Sequence, residues 1–262
     1  MDWRSPIVLA TCISSISMML PSKIPPPKNS IKQLPAEVPQ KRLQQQAESI
    51  ALRIRSSGKV AGTGIAIRKQ GSDYTVLTNE HVLKAGKAPY QIQTPDRKIH
   101  QATQVKDANF KGNDLALLRF TSSGTEYTTA KLGAVPKVGD EVFAGGFPFA
   151  EEGAKDRGFV FKTGKVWRVL DKALEGGYQI GYTNEIEKGM SGGPLLNIRG
   201  EVVGVNGVHA YPLWGDPYQY KDGTEPSAAL REQMSKYSWG IPIETFKQLA
   251  PSAFEITNVS NK

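Results

Sequence analysis

The sequence predicts an all-β fold built from antiparallel sheets, arranged as a sandwich or as barrels. From about residue 50 onward, short runs rich in β-branched and aromatic residues recur, and Gly, Pro, Asn and Asp separate them. No long helices alternate with these runs, which excludes the repeated strand–helix–strand units of a parallel sheet. One short helix is expected before the first strand and another near Ile243–Leu249.

The spacing of apolar residues assigns the elements in order. Leu43, Ala47 and Ile50 lie on one face of a short helix, and the period then changes to two at Leu52 and Ile54, which predicts a strand. The remaining strands are predicted at residues 61–67, 74–78, 90–94, 98–105, 114–120, 141–144, 158–170, 178–183, 194–197 and 201–206.

Composition and charge narrow the class of protein. Of the 262 residues, 39% are hydrophobic, which is typical of a globular chain with a substantial core. The 33 Lys and Arg residues exceed the 25 Asp and Glu residues by 8, but no run of five basic residues occurs. We therefore interpret the positive charge mainly as a solvated surface and expect no nucleic-acid partner.

Cysteine and histidine give no sign of a metal site. The single cysteine, Cys12, excludes an internal disulfide and a zinc site made of several cysteines. The three histidines, His81, His100 and His209, lack metal-ligand spacing among themselves. We expect neither a metal nor an organic cofactor.

The first forty residues predict an exported protein with a tether. The apolar run from Ile7 to Leu20 is too short to span a membrane as a helix and fits the hydrophobic region of a secretory signal. Six prolines between residues 21 and 40 predict an extended linker. We therefore expect a periplasmic or secreted location, with a signal or signal-anchor segment at 1–20, a linker at 21–40, a folded domain at 41–252 and a tail at 253–262. Cleavage of the first segment, its retention as an anchor and a simple frayed tail remain alternatives.

A glycine-rich segment around Ser191 is the strongest chemical signal, and its sequence is Gly189-Met190-Ser191-Gly192-Gly193-Pro194. A nucleophilic serine needs an exposed hydroxyl near backbone N–H donors, and glycine lets the backbone approach a substrate carbonyl. The N–H groups of Gly189 and Ser191 would then form an oxyanion hole. The alternative interpretation is a glycine-rich loop that only leads into the next strand.

His81 and Asp114 are candidate partners for this serine. His81 follows a predicted strand, and an imidazole accepts a proton near neutral pH with little adjustment of its pKa. Asp114 precedes an apolar strand, so its carboxylate should be partly buried and require a partner, which the His81 ring N–H would supply. Each residue alone also fits a structural role, His81 as an ordinary histidine and Asp114 as a turn or cap residue.

The order His81, Asp114, Ser191 resembles the trypsin-like serine peptidases, and it is most similar to their bacterial, disulfide-free branch. The motifs that carry the resemblance are Thr-Asn-x-His-Val, Asp-Leu-Ala-Leu-Leu and Gly-x-Ser-Gly-Gly-Pro. The resemblance implies two packed six-stranded antiparallel β-barrels with the site between them. It also implies a Ser-His-Asp triad that hydrolyses protein or peptide substrates through an acyl-enzyme.

Two positions depart from the family pattern. Digestive members have Asp immediately before the nucleophile, whereas this chain has Met190, which cannot pair with a freed N-terminal ammonium. Activation by cleavage and insertion of a new N-terminus is therefore not expected. Gly207 stands where many relatives have a serine that supports the acid of the triad, which leaves the surroundings of Asp114 unassigned.

The residues that determine substrate specificity are harder to identify from the sequence. By resemblance, Glu185, six residues before Ser191, would lie at the floor of the side-chain pocket and favour Lys or Arg in substrates, although an ordinary loop glutamate is an alternative. Residues 208–220 should border the same cleft. Five residues there either form a wall for substrate or pack a long loop against the barrel. They are His209, Tyr211, Trp214, Tyr218 and Tyr220.

The sequence thus predicts a serine endopeptidase. The alternative is a catalytically silent, protease-like module that binds envelope proteins through a basic surface. An esterase using the same triad is a weaker alternative, because the α/β-hydrolases place Ser before Asp and His in the chain. The oligomeric state cannot be inferred from the sequence.

Overall fold

The strands form two closed antiparallel barrels of six strands each in a computed structural model that describes residues 39–57, 59–150, 156–210 and 217–253. The predicted fold class is confirmed. In the first barrel the spatial order is β1-β2-β3-β6-β5-β4, and in the second it is β10-β11-β12-β9-β8-β7. Pairing of β1 with β4 closes the first barrel, and pairing of β10 with β7 closes the second.

The first six strands form the first barrel, and the last six form the second. The first barrel contains β1 Ala51–Ser56, β2 Lys59–Gln70, β3 Asp73–Thr78, β4 Tyr90–Gln93, β5 Ile99–Gln104 and β6 Ala116–Thr121. The second contains β7 Glu141–Gly146, β8 Val160–Val169, β9 Ile180–Tyr182, β10 Pro194–Asn197, β11 Val202–Val208 and β12 Ser238–Pro242. The helices are α1 Gln40–Ile50, α2 Glu80–Ala85, α3 Ala228–Met234 and α4 Ile243–Leu249, followed by a 3₁₀ turn at Pro251–Ala253.

Strand β3 explains why several runs lack the alternation of polar and apolar residues. Tyr74 and Val76 belong to the apolar cluster of the first barrel. Leu77, which points to the opposite face, belongs to a second cluster shared with Phe143 and Val205 of the second barrel. Because one face lines the barrel and the other packs between the barrels, the last three residues of β3 are buried on both faces.

The N-terminal helix α1 begins at Gln40 and packs its apolar face into the cluster that the two barrels share. Leu43, Ala47 and Ile50 are buried, as their spacing predicts. Gln46 adds a hydrogen bond from its side-chain Nε2 to the carbonyl of Gly200, at 2.8 Å. This helix therefore fixes the start of the folded unit against the second barrel.

The sequence did not predict α2, α3 or β12.

Within the part of the chain that the structure describes, no helix combines the length and apolar character needed to cross a membrane. The predicted segment at 1–20, the linker up to residue 38 and the tail from residue 254 lie outside the described residues. The domain boundaries at both ends therefore remain predictions.

We expect Leu43→Ala to lower the free energy of unfolding by about 2–5 kcal/mol, because it leaves a cavity in a packed core. Leu43 is only 2% exposed. Val138→Ala is the matched surface control, since Val138 is 65% exposed and its truncation should change stability by less than about 0.5 kcal/mol. Urea denaturation of the full chain measures both. Equal effects of the two variants would contradict this packing of α1.

Candidate active site

The register of the first barrel brings His81 and Asp114 together. Strands β3 and β6 pair so that Thr78 lies opposite Ala116. His81 comes three residues after Thr78, in the first turn of α2, and Asp114 comes two residues before Ala116. Both side chains are therefore carried to the same end of the barrel by strand pairing alone.

Asp114 is held by both its side chain and its backbone. The backbone N–H of His81 donates to Asp114 Oδ1 at 2.8 Å, and His81 Nδ1 lies 2.5 Å from Oδ2. The hydroxyl of Tyr178 also donates to Oδ2. Asn79, which is fully buried, donates its side-chain amide to the backbone carbonyl of Asp114 at 2.8 Å. The carboxylate thus has a fixed orientation toward the imidazole.

The charge state of Asp114 follows from these contacts. Burial of the carboxyl raises its pKa, but the hydrogen bond and the charge of His81, with the Tyr178 hydroxyl, outweigh burial and hold the pKa of Asp114 below its usual value. An ionised carboxylate only accepts hydrogen bonds, so Nδ1 of His81 must carry the proton. In the neutral imidazole, Nε2 is then the nitrogen that can accept a proton.

Ser191 reaches the same region from the second barrel. Strands β10 and β11 pair so that Pro194 lies opposite Val205, which puts Ser191 beside Gly207. Ser191 Oγ donates to the carbonyl of Gly207 at 3.0 Å. Among the described residues, no hydrogen bond joins Ser191 Oγ to His81, although both side chains line one cavity. Hydrogen bonds between catalytic groups are often long in the absence of substrate.

The cavity has a volume of about 440 Å³ and is mainly apolar. Both barrels contribute to its walls. Its described lining residues are Ala61, His81, Val82, Ala85, Phe149, Tyr178, Lys188, Gly189, Ser191, Gly207, Val208, His209 and Pro217. A volume of this size is typical of a binding pocket.

The backbone conformation of residues 189–194, the serine segment, requires glycine at two positions. Gly189 has φ +95° and Gly192 has φ +82°, in the region that favours glycine. A Cβ on Gly192 would lie 2.1 Å from the carbonyl oxygen of Thr63, a strand residue of the first barrel. The segment can therefore approach the first barrel closely only with glycine at this position.

Thr63 anchors the serine segment to the first barrel. Its N–H donates to the carbonyl of Ser191 at 2.9 Å, and its hydroxyl donates to the carbonyl of Gly189 at 2.7 Å. The same hydroxyl accepts from the N–H of Phe147 at 2.9 Å. Thr63 is fully buried, so these bonds have no competition from water. One side chain thus ties two segments of the second barrel to β2.

The predicted specificity residues separate into two groups. His209 lines the cavity, whereas Glu185 is exposed and is not among the described residues of the cavity wall. Tyr218 and Tyr220 pack against the shared apolar core instead of forming a wall for substrate. The other two aromatic candidates, at positions 211 and 214, lie outside the described residues.

Three polar residues that hold the site were not assigned from the sequence: Thr63, Asn79 and Tyr178. Asn79 belongs to the quoted Thr-Asn-x-His-Val motif, but the motif does not reveal its bond to the Asp114 backbone. The absence of a serine at Gly207 was a signal that another donor serves Asp114. Nothing in the local sequence of Tyr178 connects it to an aspartate 64 positions earlier.

Two closed six-stranded barrels, with His81 and Ser191 lining one cavity and Asp114 hydrogen-bonded to His81, have the architecture of the two-barrel peptidases. The family model described as "Trypsin-like peptidase domain" matches residues 62–205. The chain belongs to this family, which confirms the resemblance predicted from the motifs.

Curated relatives of this chain are named as serine proteases. "Serine protease HTRA2, mitochondrial" of Drosophila grimshawi is 30% identical over 191 residues, which cover 71% of this chain and 43% of the relative. The protein of the same name from Drosophila virilis is 29% identical over 189 residues, covering 71% and 44%. The chain therefore spans less than half the length of these relatives.

We expect Thr63→Val to lower the free energy of unfolding by about 1–3 kcal/mol, because it leaves the Gly189 carbonyl and the Phe147 N–H buried without their partner. Thr103→Val is the matched control, since Thr103 lies exposed on β5 of the same barrel. Urea denaturation of both variants gives the comparison. A Thr63→Val chain as stable as the control would contradict the anchoring role.

Proposed function

We propose that this chain is a serine endopeptidase in which Ser191 is the nucleophile, His81 the general base and Asp114 the residue that orients His81. The supporting observation is the 2.5 Å contact between His81 Nδ1 and Asp114 Oδ2 at a cavity that Ser191 also lines. A partly exposed imidazole that is oriented by a carboxylate, at a cavity that a serine also lines, is the arrangement that a general base needs.

The reaction would proceed in two halves. Ser191 Oγ attacks the carbonyl carbon of the peptide bond while its proton passes to His81 Nε2. The imidazolium donates that proton to the amine leaving group, and an acyl-enzyme remains on Ser191. Water then attacks the ester, His81 again accepts and returns a proton, and Ser191 is released. Asp114 stays ionised throughout and stabilises the imidazolium.

Ser191 must first exchange its hydrogen-bond partner. Its hydroxyl rests on the Gly207 carbonyl, and rotation about χ1 would redirect it toward His81. A peptide substrate bound along β11 would compete for the Gly207 carbonyl, because backbone N–H groups are strong donors. Substrate binding would therefore favour the rotation that the reaction requires.

The proposed oxyanion hole consists of the N–H groups of Gly189 and Ser191. The carbonyl of Lys188 accepts from Phe149 N at 2.8 Å, and the carbonyl of Met190 accepts from Gly193 N at 3.1 Å. In a trans peptide the N–H points opposite to the carbonyl, so the next residue's N–H is aimed away from these contacts. Within the described part of the chain neither N–H donates a hydrogen bond, which leaves both for an oxyanion.

The substrate is proposed to be protein or peptide, with His209 as a substrate-binding residue of the cavity wall. The relatives' names describe mitochondrial proteases. Our prediction of export for this chain rests on residues 1–40, almost all of which lie outside the described residues. Location and natural substrates therefore stay proposals.

Ser191→Ala should reduce the hydrolysis of an unfolded protein substrate by at least about 10³-fold while leaving the fold intact. Residual turnover would come from binding and the oxyanion hole. A fluorophosphonate probe should label Ser191 in the wild-type chain, since it reacts with activated serines, and mass spectrometry locates the adduct.

Ser72→Ala is the matched control, because Ser72 lies exposed in the turn between β2 and β3. Its hydrolysis rate and labelling should equal those of the wild-type chain. Unchanged proteolysis in Ser191→Ala would remove this residue from the mechanism. A folded wild-type chain that neither hydrolyses nor is labelled would instead favour a silent binding module.

Glu185→Gln should leave the cleavage profile unchanged, with kcat/KM for Lys, Arg and apolar substrate side chains within about twofold of wild type, because an exposed carboxylate is screened by water. Sequencing of the products from a denatured proteome measures this profile. A selective loss of cleavage after Lys or Arg would restore Glu185 as the specificity residue.

A further inference from the structure

Gly207 has no room for a side chain, because the ring of Tyr178 occupies the space. A Cβ built on Gly207 would lie 2.2 Å from Tyr178 Cε1 and 2.7 Å from its hydroxyl oxygen. Both distances are far below normal van der Waals contact. A serine at position 207, which the resemblance leads one to expect, is therefore incompatible with Tyr178 in this position.

Tyr178 uses that space to reach Asp114. Its ring is buried, and its hydroxyl donates to Asp114 Oδ2. The remaining donors to the carboxylate, the backbone N–H and Nδ1 of His81, both belong to the first barrel. Tyr178 precedes β9 and is thus the contribution of the second barrel to the carboxylate.

The backbone around Tyr178 is attached to the same site. The N–H of Asp114 donates to the carbonyl of Gly176 at 2.8 Å, and Asn113 forms an isolated parallel bridge with Gly176. The turn closes on itself through a bond from Gly177 N to Leu174 O at 2.8 Å. Several backbone contacts therefore fix the turn that carries Tyr178 beside Asp114.

We propose that Tyr178 is a positioning residue for Asp114 and that Gly207 is glycine in order to admit its ring. The pair takes over the task of the serine that many relatives have at position 207. This inference rests on the proposed function of Ser191 and His81 and adds a residue to that same site.

The chemistry suits such a role. Burial and the Asp114 charge raise the pKa of Tyr178 well above its usual value, so the phenol stays protonated and remains a donor. With three donors on two oxygens, the carboxylate cannot rotate away from His81 without losing bonds. Tyr178 would act through Asp114 on the orientation of the imidazole, so its hydroxyl should affect kcat and leave KM nearly unchanged.

The first test is Tyr178→Phe, which removes the hydroxyl and retains the ring. We expect kcat to fall roughly 10- to 100-fold, the range of a hydrogen bond to a charged group, with KM within about twofold of wild type. Tyr74→Phe is the matched control, since Tyr74 is fully buried at the far end of β3 and its hydroxyl accepts from Tyr127 N at 3.0 Å. It should lose stability without losing kcat.

The second test replaces the Tyr178 hydroxyl with a serine hydroxyl at position 207 as the donor to Asp114. Gly207→Ser alone should lower kcat, because its Cβ collides with the ring. Tyr178→Ala alone should also lower kcat, and the double variant Tyr178→Ala with Gly207→Ser should recover at least tenfold over Tyr178→Ala. This comparison keeps the proposal testable if Tyr178→Phe folds poorly, which melting temperatures would reveal.

The outcomes separate this inference from the proposed function. An active wild-type chain beside a Tyr178→Phe variant of equal kcat would overturn the positioning role alone. A double variant no more active than Tyr178→Ala would also overturn it. An inactive wild-type chain, with Ser191 unlabelled, would overturn the proposed function itself.

Discussion

The hydrogen bonds of Thr63 set the distance between the two halves of the site. His81 and Asp114 belong to the first barrel and Ser191 to the second, so their alignment depends on the contact between barrels. Thr63 makes part of this contact with its N–H and its hydroxyl, both directed at the serine segment, and Tyr178 and Gly176 make another part at Asp114. Because the residue is buried, a lost bond would leave a polar group without water, which costs about 1–3 kcal/mol.

Ion pairs lie near the serine segment, but they contribute less to holding it in place. Glu187 lies 2.6 Å from Arg157 and 2.7 Å from Lys162, and its side chain is 33% exposed. Exposed pairs of this kind are typically worth about 0–1 kcal/mol. The pair of Arg53 with Asp156 is bidentate, and the Arg53 side chain is only 9% exposed, but the Asp156 side chain is 56% exposed. Even so, neither pair touches the segment as directly as Thr63.

The strands and the three motif residues could be predicted because their signals are local. Apolar runs reveal strands, and His81 and Asp114 each flank one. Helix α2 has only six residues, too few to show a helical period, and β12 is buried on both faces, so it shows no alternation. Tyr178 could not be assigned to Asp114, because their contact depends on how the β8–β9 connection bridges to the first barrel.

Glu185 was assigned to the side-chain pocket only because it lies six residues before Ser191, and the structure explains why that spacing does not place it in the described cavity wall. Its neighbours Asn184 and Ile186 are buried, and alternation in an extended segment then directs the side chain between them outward. Turning Glu185 inward would bury a carboxylate at a mainly apolar cavity, which is costly without a partner. The described wall of the cavity offers only Lys188, His81 and His209 as cationic or titratable nitrogen groups, and His81 already serves Asp114.

The hydrogen bond of Ser191 to the Gly207 carbonyl is weak enough to be exchanged in the proposed mechanism. It joins two neutral groups, and such a bond contributes about 1 kcal/mol net, equivalent to roughly a fivefold preference for the resting rotamer. In the proposed mechanism, a substrate N–H that took the Gly207 carbonyl would remove this preference, and His81 Nε2 would offer the hydroxyl a new acceptor. Ser191 is therefore held by a bond between neutral groups, while His81 is held by a bond to an ionised carboxylate, which the proposed mechanism leaves intact.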